Sequence, residues 1–128
     1  MSRMSLIALS LVIVSGNAFA QGKVPLTAAE MNALLSKGLS VFSSDLQGGK
    51  DYTANINLAA DGKLSGTLTV TGQRPIPVSG VWKLKGAQVC RTLAPVQPEE
   101  VCETWLRAGV KEVTIQVDGK EVSRNRWQ

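Results

Sequence analysis

Short runs of alternating apolar and polar residues, each ended by a tight turn, constrain this chain more than any other feature. In residues 52–58 every second side chain is apolar or aromatic, which is typical of a strand with one buried face. Asp-Gly pairs follow two of these runs, at Asp61-Gly62 and Asp118-Gly119, and such pairs favour hairpin turns. About seven or eight strands joined in sequence are predicted. This favours an antiparallel β-meander, either a curved sheet or a small barrel.

One amphipathic helix is predicted before the first strand. Thr27 is a suitable N-cap, and Glu30 stands three residues later, where it completes a capping box. Leu26 and Met31 occupy the two positions of a hydrophobic staple. Gly38 ends the helical pattern. Because so short a helix needs a packing partner, we expect a mainly β fold with one N-terminal α-helix packed on it.

Residues 1–20 have the plan of a secretory signal peptide. A basic start is followed by an apolar core at residues 6–14 and by Ala-Phe-Ala at residues 18–20, which suits signal peptidase. A transmembrane anchor would need roughly 17–25 apolar residues. We therefore expect cleavage before Gln21 and a single periplasmic or secreted domain, residues 21–128, without stable membrane insertion.

Cys90 and Cys102 are predicted to form one disulfide. They are the two cysteines of the chain, and exported proteins fold in an oxidising compartment where such pairs close. A redox-active pair would more often have the Cys-x-x-Cys spacing. The predicted bridge is therefore structural, and the loop it closes would stabilise the domain by roughly 3 kcal/mol.

Charge and composition argue against several function classes. The net charge is +4, and acids stand among the basic residues, so no basic stripe indicates nucleic-acid binding. The chain has no histidine, which removes the usual general base and the commonest metal ligand. No phosphate-binding or metal-binding motif is present in the sequence. We therefore predict no catalytic residues, no cofactor and no metal.

Carboxylates give the sequence its one route to catalysis. Glu99, Glu100 and Glu103 lie in or beside the disulfide loop. We interpret them as a solvated cluster rather than as an acid/base pair. A carboxylate-dependent hydrolase stays open as an alternative, since two carboxylates that are separate in sequence can meet in space.

Two segments are candidates for binding a partner. The first is Pro95, Val96 and Gln97, in a segment held between the two cysteines, whose ordering cost on binding is already reduced. The second is the basic and aromatic end, with Arg126 and Trp127. Of the two further tryptophans, Trp82 is interpreted as a core residue. Trp105, on the strand face opposite Cys102, is a candidate binding residue.

The order of the motifs resembles a known group of proteins. Asp61-Gly62, Gly80-Val81-Trp82, the two cysteines and Asp118-Gly119 resemble the plan of short exported proteins of Gram-negative bacteria, many without an assigned function. The resemblance spans residues 26–119 and rests on loose motifs. The chain is more distantly similar to small periplasmic inhibitors of lysozymes and secreted proteases, which are disulfide-closed β-barrels.

These observations favour a non-catalytic periplasmic or secreted binding protein. Its expected partner is a protein or a cell-envelope component, and an enzyme inhibitor is a special case of this function. The first alternative is a small-ligand carrier with an apolar barrel mouth lined by residues such as Trp82 or Trp105. The second is the carboxylate-dependent hydrolase.

Overall fold

The computed structural model describes residues 23–128, which form one helix and eight antiparallel strands closed into a barrel. Each strand pairs with the next one along the chain, and the last pairs with the first. The predicted mainly β fold with eight strands is confirmed, and of the two arrangements left open, a curved sheet and a small barrel, the structure has the barrel. The predicted signal peptide and its cleavage before Gln21 lie outside the described residues. The elements are α1 Ala28–Leu35, β1 Leu39–Ser44, β2 Tyr52–Leu58, β3 Lys63–Val70, β4 Ile76–Lys85, β5 Gln88–Leu93, β6 Gln97–Gly109, β7 Glu112–Val117 and β8 Lys120–Arg126.

Closure of the barrel depends on the pairing of β1 with β8. Phe42 lies opposite Arg126, and Ser44 lies opposite Arg124. Just after β8, the Trp127 backbone N–H donates to the Lys111 carbonyl. Because the ring of strands is complete, its strands present no unpaired sheet edge of the kind that templates aggregation.

Alternation along the strands separates the core from the surface. In β2, Ala54 and Leu58 are buried while Asn55 and Asn57 are exposed, as expected for strands with one face inside a barrel. The core cluster combines strand residues with residues of the N-terminal segment. Its buried members are Leu26, Met31, Leu35, Val41, Leu58, Leu64, Val89, Trp105, Val113 and Ile115.

The helix begins as its sequence predicts. The Glu30 backbone N–H donates to Thr27 Oγ1 (3.1 Å), and the Thr27 backbone N–H donates to Glu30 Oε1 (2.9 Å). These two bonds satisfy donors that the first turn leaves without a partner. Met31 and Leu35 are fully buried. Within residues 23–128, no helix has both the length and the apolar character to cross a membrane.

The segment before the helix is hydrogen-bonded to β6. The Leu26 N–H donates to the Trp105 carbonyl, and the Arg107 N–H donates to the Val24 carbonyl. Arg107 Nη2 also lies 2.6 Å from Glu30 Oε2, in an exposed ion pair. The backbone on both sides of Pro25 is therefore joined to the barrel wall.

Two strand glycines lie against the backbone of a neighbouring strand. A Cβ at Gly66 would overlap the Asn55 carbonyl oxygen, and one at Gly80 would overlap the Thr92 carbonyl oxygen. Glycine within a strand commonly marks such a close approach.

Candidate functional site

The barrel encloses a cavity of about 430 Å³. Its size falls in the range of about 300–1,000 Å³ that is typical of small-molecule sites. Asp51, Val96 and Val122 line the cavity and are also exposed to solvent. They lie at the ends of strands remote from the start of β1. The cavity therefore opens at this end of the barrel, which we call the mouth.

The cavity is lined by an apolar and a polar set of side chains, which we call the apolar wall and the polar wall. The apolar wall comes from β2, β3 and β5, and consists of Ala54, Ile56, Leu58, Leu64, Leu68, Val70, Val89 and Leu93. The polar wall draws on β1, β2, β5, β6 and β8, some of which also contribute apolar residues such as Val41 and Trp105. Its members are Ser43, Tyr52, Arg91, Gln97, Glu103, Ser123 and Asn125.

An ion pair between Arg91 and Glu103 lies within the polar wall. Arg91 Nε donates to Glu103 Oε2 at 2.8 Å, and Arg91 Nη2 lies 2.8 Å from the same oxygen. Trp105 Nε1 donates to Glu103 Oε1 at 3.2 Å. The Arg91 and Glu103 side chains are 17% and 9% exposed. Arg91 Nη1 donates to Gln97 Oε1 at 2.7 Å. The guanidinium and the carboxylate thus neutralise each other beside the cavity.

The interpretation of Glu103 as part of a solvated cluster is wrong. Glu103 is buried because strand alternation turns it towards the inside of the barrel, where Arg91 compensates its charge. Glu99 and Glu100 are exposed, as predicted. Glu100 forms ion pairs with Lys83 and Lys85, which lower the pKa of its carboxyl group, the Lys85 hydrogen bond contributing most.

Tyr52 brings a phenol to the polar wall. Burial raises the pKa of this phenol above its ordinary value of 10.0, and a hydrogen bond with Ser123 offsets part of the rise. At neutral pH Tyr52 is therefore uncharged and able to donate or accept a hydrogen bond.

Asp45 organises the loop between β1 and β2 at the mouth. Its carboxylate accepts backbone N–H groups from four residues of this loop and of the start of β2, which are Gln47, Gly49, Asp51 and Tyr52. Burial acts to raise the pKa of Asp45, but these four donors outweigh it and hold the pKa far below its ordinary range. The loop is thus fixed by a buried negative charge.

The hairpin between β5 and β6 forms another part of the mouth. Val96 and Gln97 line the cavity, whereas Pro95 lies exposed in the turn. The predicted disulfide joins Cys90 to Cys102, which face each other across the two strands. Neither cysteine lines the cavity, so the bridge holds the hairpin from the outside of the barrel.

The remaining predicted binding residues separate into two groups. Trp105 is 1% exposed and lines the cavity. Trp127 does not line it but stacks on Trp105, with ring centroids 6.1 Å apart. Arg126 lies over the Phe42 ring at 4.6 Å, away from the cavity lining. The structure therefore brings Trp105 together with Val96 and Gln97, and leaves Arg126 elsewhere.

Sequence reasoning missed Arg91 as a cavity residue and misplaced Glu103. The signal that could have found both is the disulfide. Once Cys90 lies opposite Cys102, Arg91 and Glu103 become diagonal neighbours on the other face of the hairpin. If the bridge faces outward, this pair must face the interior.

Among residues 23–128, one group of potential metal ligands lies close together: Cys90, Glu100 and Cys102. Both sulfurs belong to the disulfide, so the group offers no thiolate to a metal.

No protein-family model, curated protein or solved structure matches this chain. The resemblance to short exported Gram-negative proteins and to small periplasmic inhibitors therefore stays a prediction.

Proposed function

We propose that this protein is a small-ligand carrier that binds one largely apolar molecule inside the barrel. The observation behind this proposal is the cavity of about 430 Å³. An eight-stranded barrel is just wide enough for its own side chains to fill it, or for one small ligand. Unfilled space in a core usually costs stability, and a binding role accounts for its retention here.

The shape of the lining supports an amphipathic ligand. Apolar side chains of β2, β3 and β5 would cover its body, and the polar wall would orient its head. A few polar groups in a mainly apolar pocket are typical of small-molecule sites. The carrier alternative predicts Trp82 or Trp105 at the barrel mouth. Trp105 lines the cavity but lies buried inside it, and Trp82 is not part of the lining.

The sequence favours a protein that binds a protein or envelope partner, with the small-ligand carrier as its first alternative. The cavity is the reason to reverse these two. Val96 and Gln97, the residues expected to contact such a partner, contribute to the mouth. The hydrolase alternative gains no support from Glu103, whose charge is compensated by Arg91. We therefore rank the carrier first and the interaction protein, including an inhibitor, second.

The helix α1 and the disulfide also belong to the proposal. Met31 and Leu35 share a buried cluster with Leu58, Leu64 and Trp105, so α1 would close the end of the barrel opposite the mouth. The disulfide is compatible with an oxidising compartment. We therefore keep a periplasmic or secreted location after cleavage before Gln21.

Titration with Nile red, an uncharged dye that fluoresces in apolar surroundings, tests the carrier function. Ala54 is buried and lines the cavity, so Ala54→Phe places a ring in the binding space. We expect saturable dye binding to the unaltered protein and at least a roughly tenfold loss in this variant, about 1.4 kcal/mol. Asn55→Phe, on the neighbouring outward-facing residue, is the matched control and should bind as the unaltered protein does.

A second pair of variants guards against a folding defect. Leu68→Phe also fills the cavity, and Thr69→Phe is its outward-facing control. Each variant is checked by circular dichroism and thermal unfolding before titration. Absence of dye binding to the folded, unaltered protein, or equal binding by all four variants, would overturn the proposal.

A further inference from the structure

We infer that the cavity selects an uncharged amphiphile, with an apolar chain and a neutral hydrogen-bonding head such as a hydroxyl or an amide. This inference rests on the proposed function. It names the chemical class of the ligand from the charges of the polar wall and from the side-chain amide of Asn125.

The ion pair removes the cation that would otherwise attract an anionic head. Arg91 directs Nε and Nη2 to Glu103 and Nη1 to Gln97. Both charged side chains are largely buried. A carboxylate entering the cavity would lose its hydration and meet a guanidinium that is already neutralised, at a net cost. A cationic head would also lose its hydration, and it would meet a Glu103 carboxylate whose charge Arg91 already compensates.

The side-chain amide of Asn125 is the group to which a neutral head would hydrogen-bond. It is 7% exposed, lines the cavity and lies opposite Ser43 across the β1–β8 pairing. Among residues 23–128 its side-chain amide has no hydrogen-bond partner, which is uncommon for a buried amide. The amide can both donate and accept, so a hydroxyl or amide head complements it.

The neighbouring polar groups are also uncharged. Ser43 offers a hydroxyl, and the Tyr52 phenol, which shares a hydrogen bond with Ser123, is uncharged at neutral pH. Asp51 lies at the mouth as a solvated carboxylate, which disfavours anions further. The polar wall therefore combines neutral donors and acceptors with a compensated ion pair.

Displacement of Nile red by 1-octanol, octanoate and octylammonium tests this selectivity, because the three share one chain and differ in the charge of the head. We expect octanol to bind at least roughly tenfold more tightly than either ion. Octanoate or octylammonium binding as tightly as octanol would overturn the inference and leave the carrier function intact. Failure of Nile red itself to bind would instead overturn the carrier function.

Two variants trace the selectivity to its residues. Glu103→Gln frees the Arg91 charge while keeping an oxygen for Trp105 Nε1, so it should raise octanoate affinity roughly tenfold. A gain of this kind cannot arise from misfolding. Asn125→Leu should weaken octanol roughly tenfold and leave 1-octene unchanged, whereas Asn55→Leu on the outer face should alter neither. Unchanged octanoate affinity in Glu103→Gln, or unchanged octanol affinity in Asn125→Leu, would contradict the assignment.

Discussion

Glu103 receives hydrogen bonds from Arg91 and from Trp105 on its two different oxygens, inside the barrel. Replacing it with alanine leaves the Arg91 guanidinium without its counter-charge and the indole N–H without an acceptor. We expect Glu103→Ala to lower the free energy of unfolding by about 3 kcal/mol, measured by urea denaturation. Glu103→Gln, which keeps the acceptor for Trp105, should lose less. A loss of under about 1 kcal/mol in the alanine variant would contradict the burial of this pair.

Tyr52 is the single tyrosine of the chain, so its ionisation can be followed alone by absorbance near 295 nm. Because burial disfavours the phenolate, we expect a pKa above the ordinary 10.0. The stability that the neutral phenol contributes is present below the unfolded pKa and is lost as pH rises through the folded one. Bound octanol should raise the pKa further. A midpoint at or below 10 would show that the phenol is solvated.

Because Asp45 is bound as a carboxylate, we expect the free energy of unfolding to fall steeply at acid pH. Its pKa is held far below the ordinary 3.8 by backbone donors that outweigh burial. Its contribution is therefore present above pH 3.8 and is lost as the pH falls through the folded pKa. Asp45→Asn should be less stable than the unaltered protein at pH 7 and should lose less stability between pH 5 and pH 2. Parallel curves for the two proteins in that range would exclude this role.

Gly80 tolerates no side chain because its Cβ would overlap the Thr92 carbonyl oxygen on the paired strand. Gly80→Ala should destabilise the barrel by about 1–3 kcal/mol, the usual cost of forcing extra volume into a packed site. Ser79→Ala, at the adjacent exposed residue, is the control and should change stability little. Thermal unfolding of the two variants is the measurement. Equal unfolding midpoints for Gly80→Ala and Ser79→Ala would contradict the close approach of Gly80 to the Thr92 carbonyl.

The Cys90–Cys102 bridge closes a short loop, with the two residues 12 apart in sequence. Replacing both cysteines with alanine should lower the free energy of unfolding by roughly 3 kcal/mol. Since Val96 and Gln97 lie in that loop and line the cavity, Nile red binding should also weaken. Full dye affinity in a folded double variant would mean that the hairpin holds its shape without the bridge.

Local signals were sufficient for the helix and for most turns. Thr27 and Glu30 act within one helical turn, and the turn at Asp61-Gly62 depends on neighbouring residues alone. Closure of the barrel cannot be predicted from the sequence, because it depends on the pairing of Phe42 with Arg126. Those residues are far apart in sequence, and nothing in either strand specifies the other.

The cavity was harder to predict than the fold. Alternation indicates which side chains face inward, but it cannot tell whether they fill the space between opposite walls. Glu103 shows a second difficulty, since a buried charge is stable only with a partner, and Arg91 becomes that partner through the register of β5 and β6. Without that register, the residue type alone predicts that a glutamate such as Glu103 lies on the surface.

The pairing of β1 with β8 has a consequence for motion. Three residue pairs join these strands, whereas every other ladder of the described barrel has at least four. Local opening takes place most easily where the fewest backbone hydrogen bonds must break together. Ser43 and Asn125 form the middle pair of this ladder, so local opening of the β1–β8 pairing would expose the Asn125 amide to solvent.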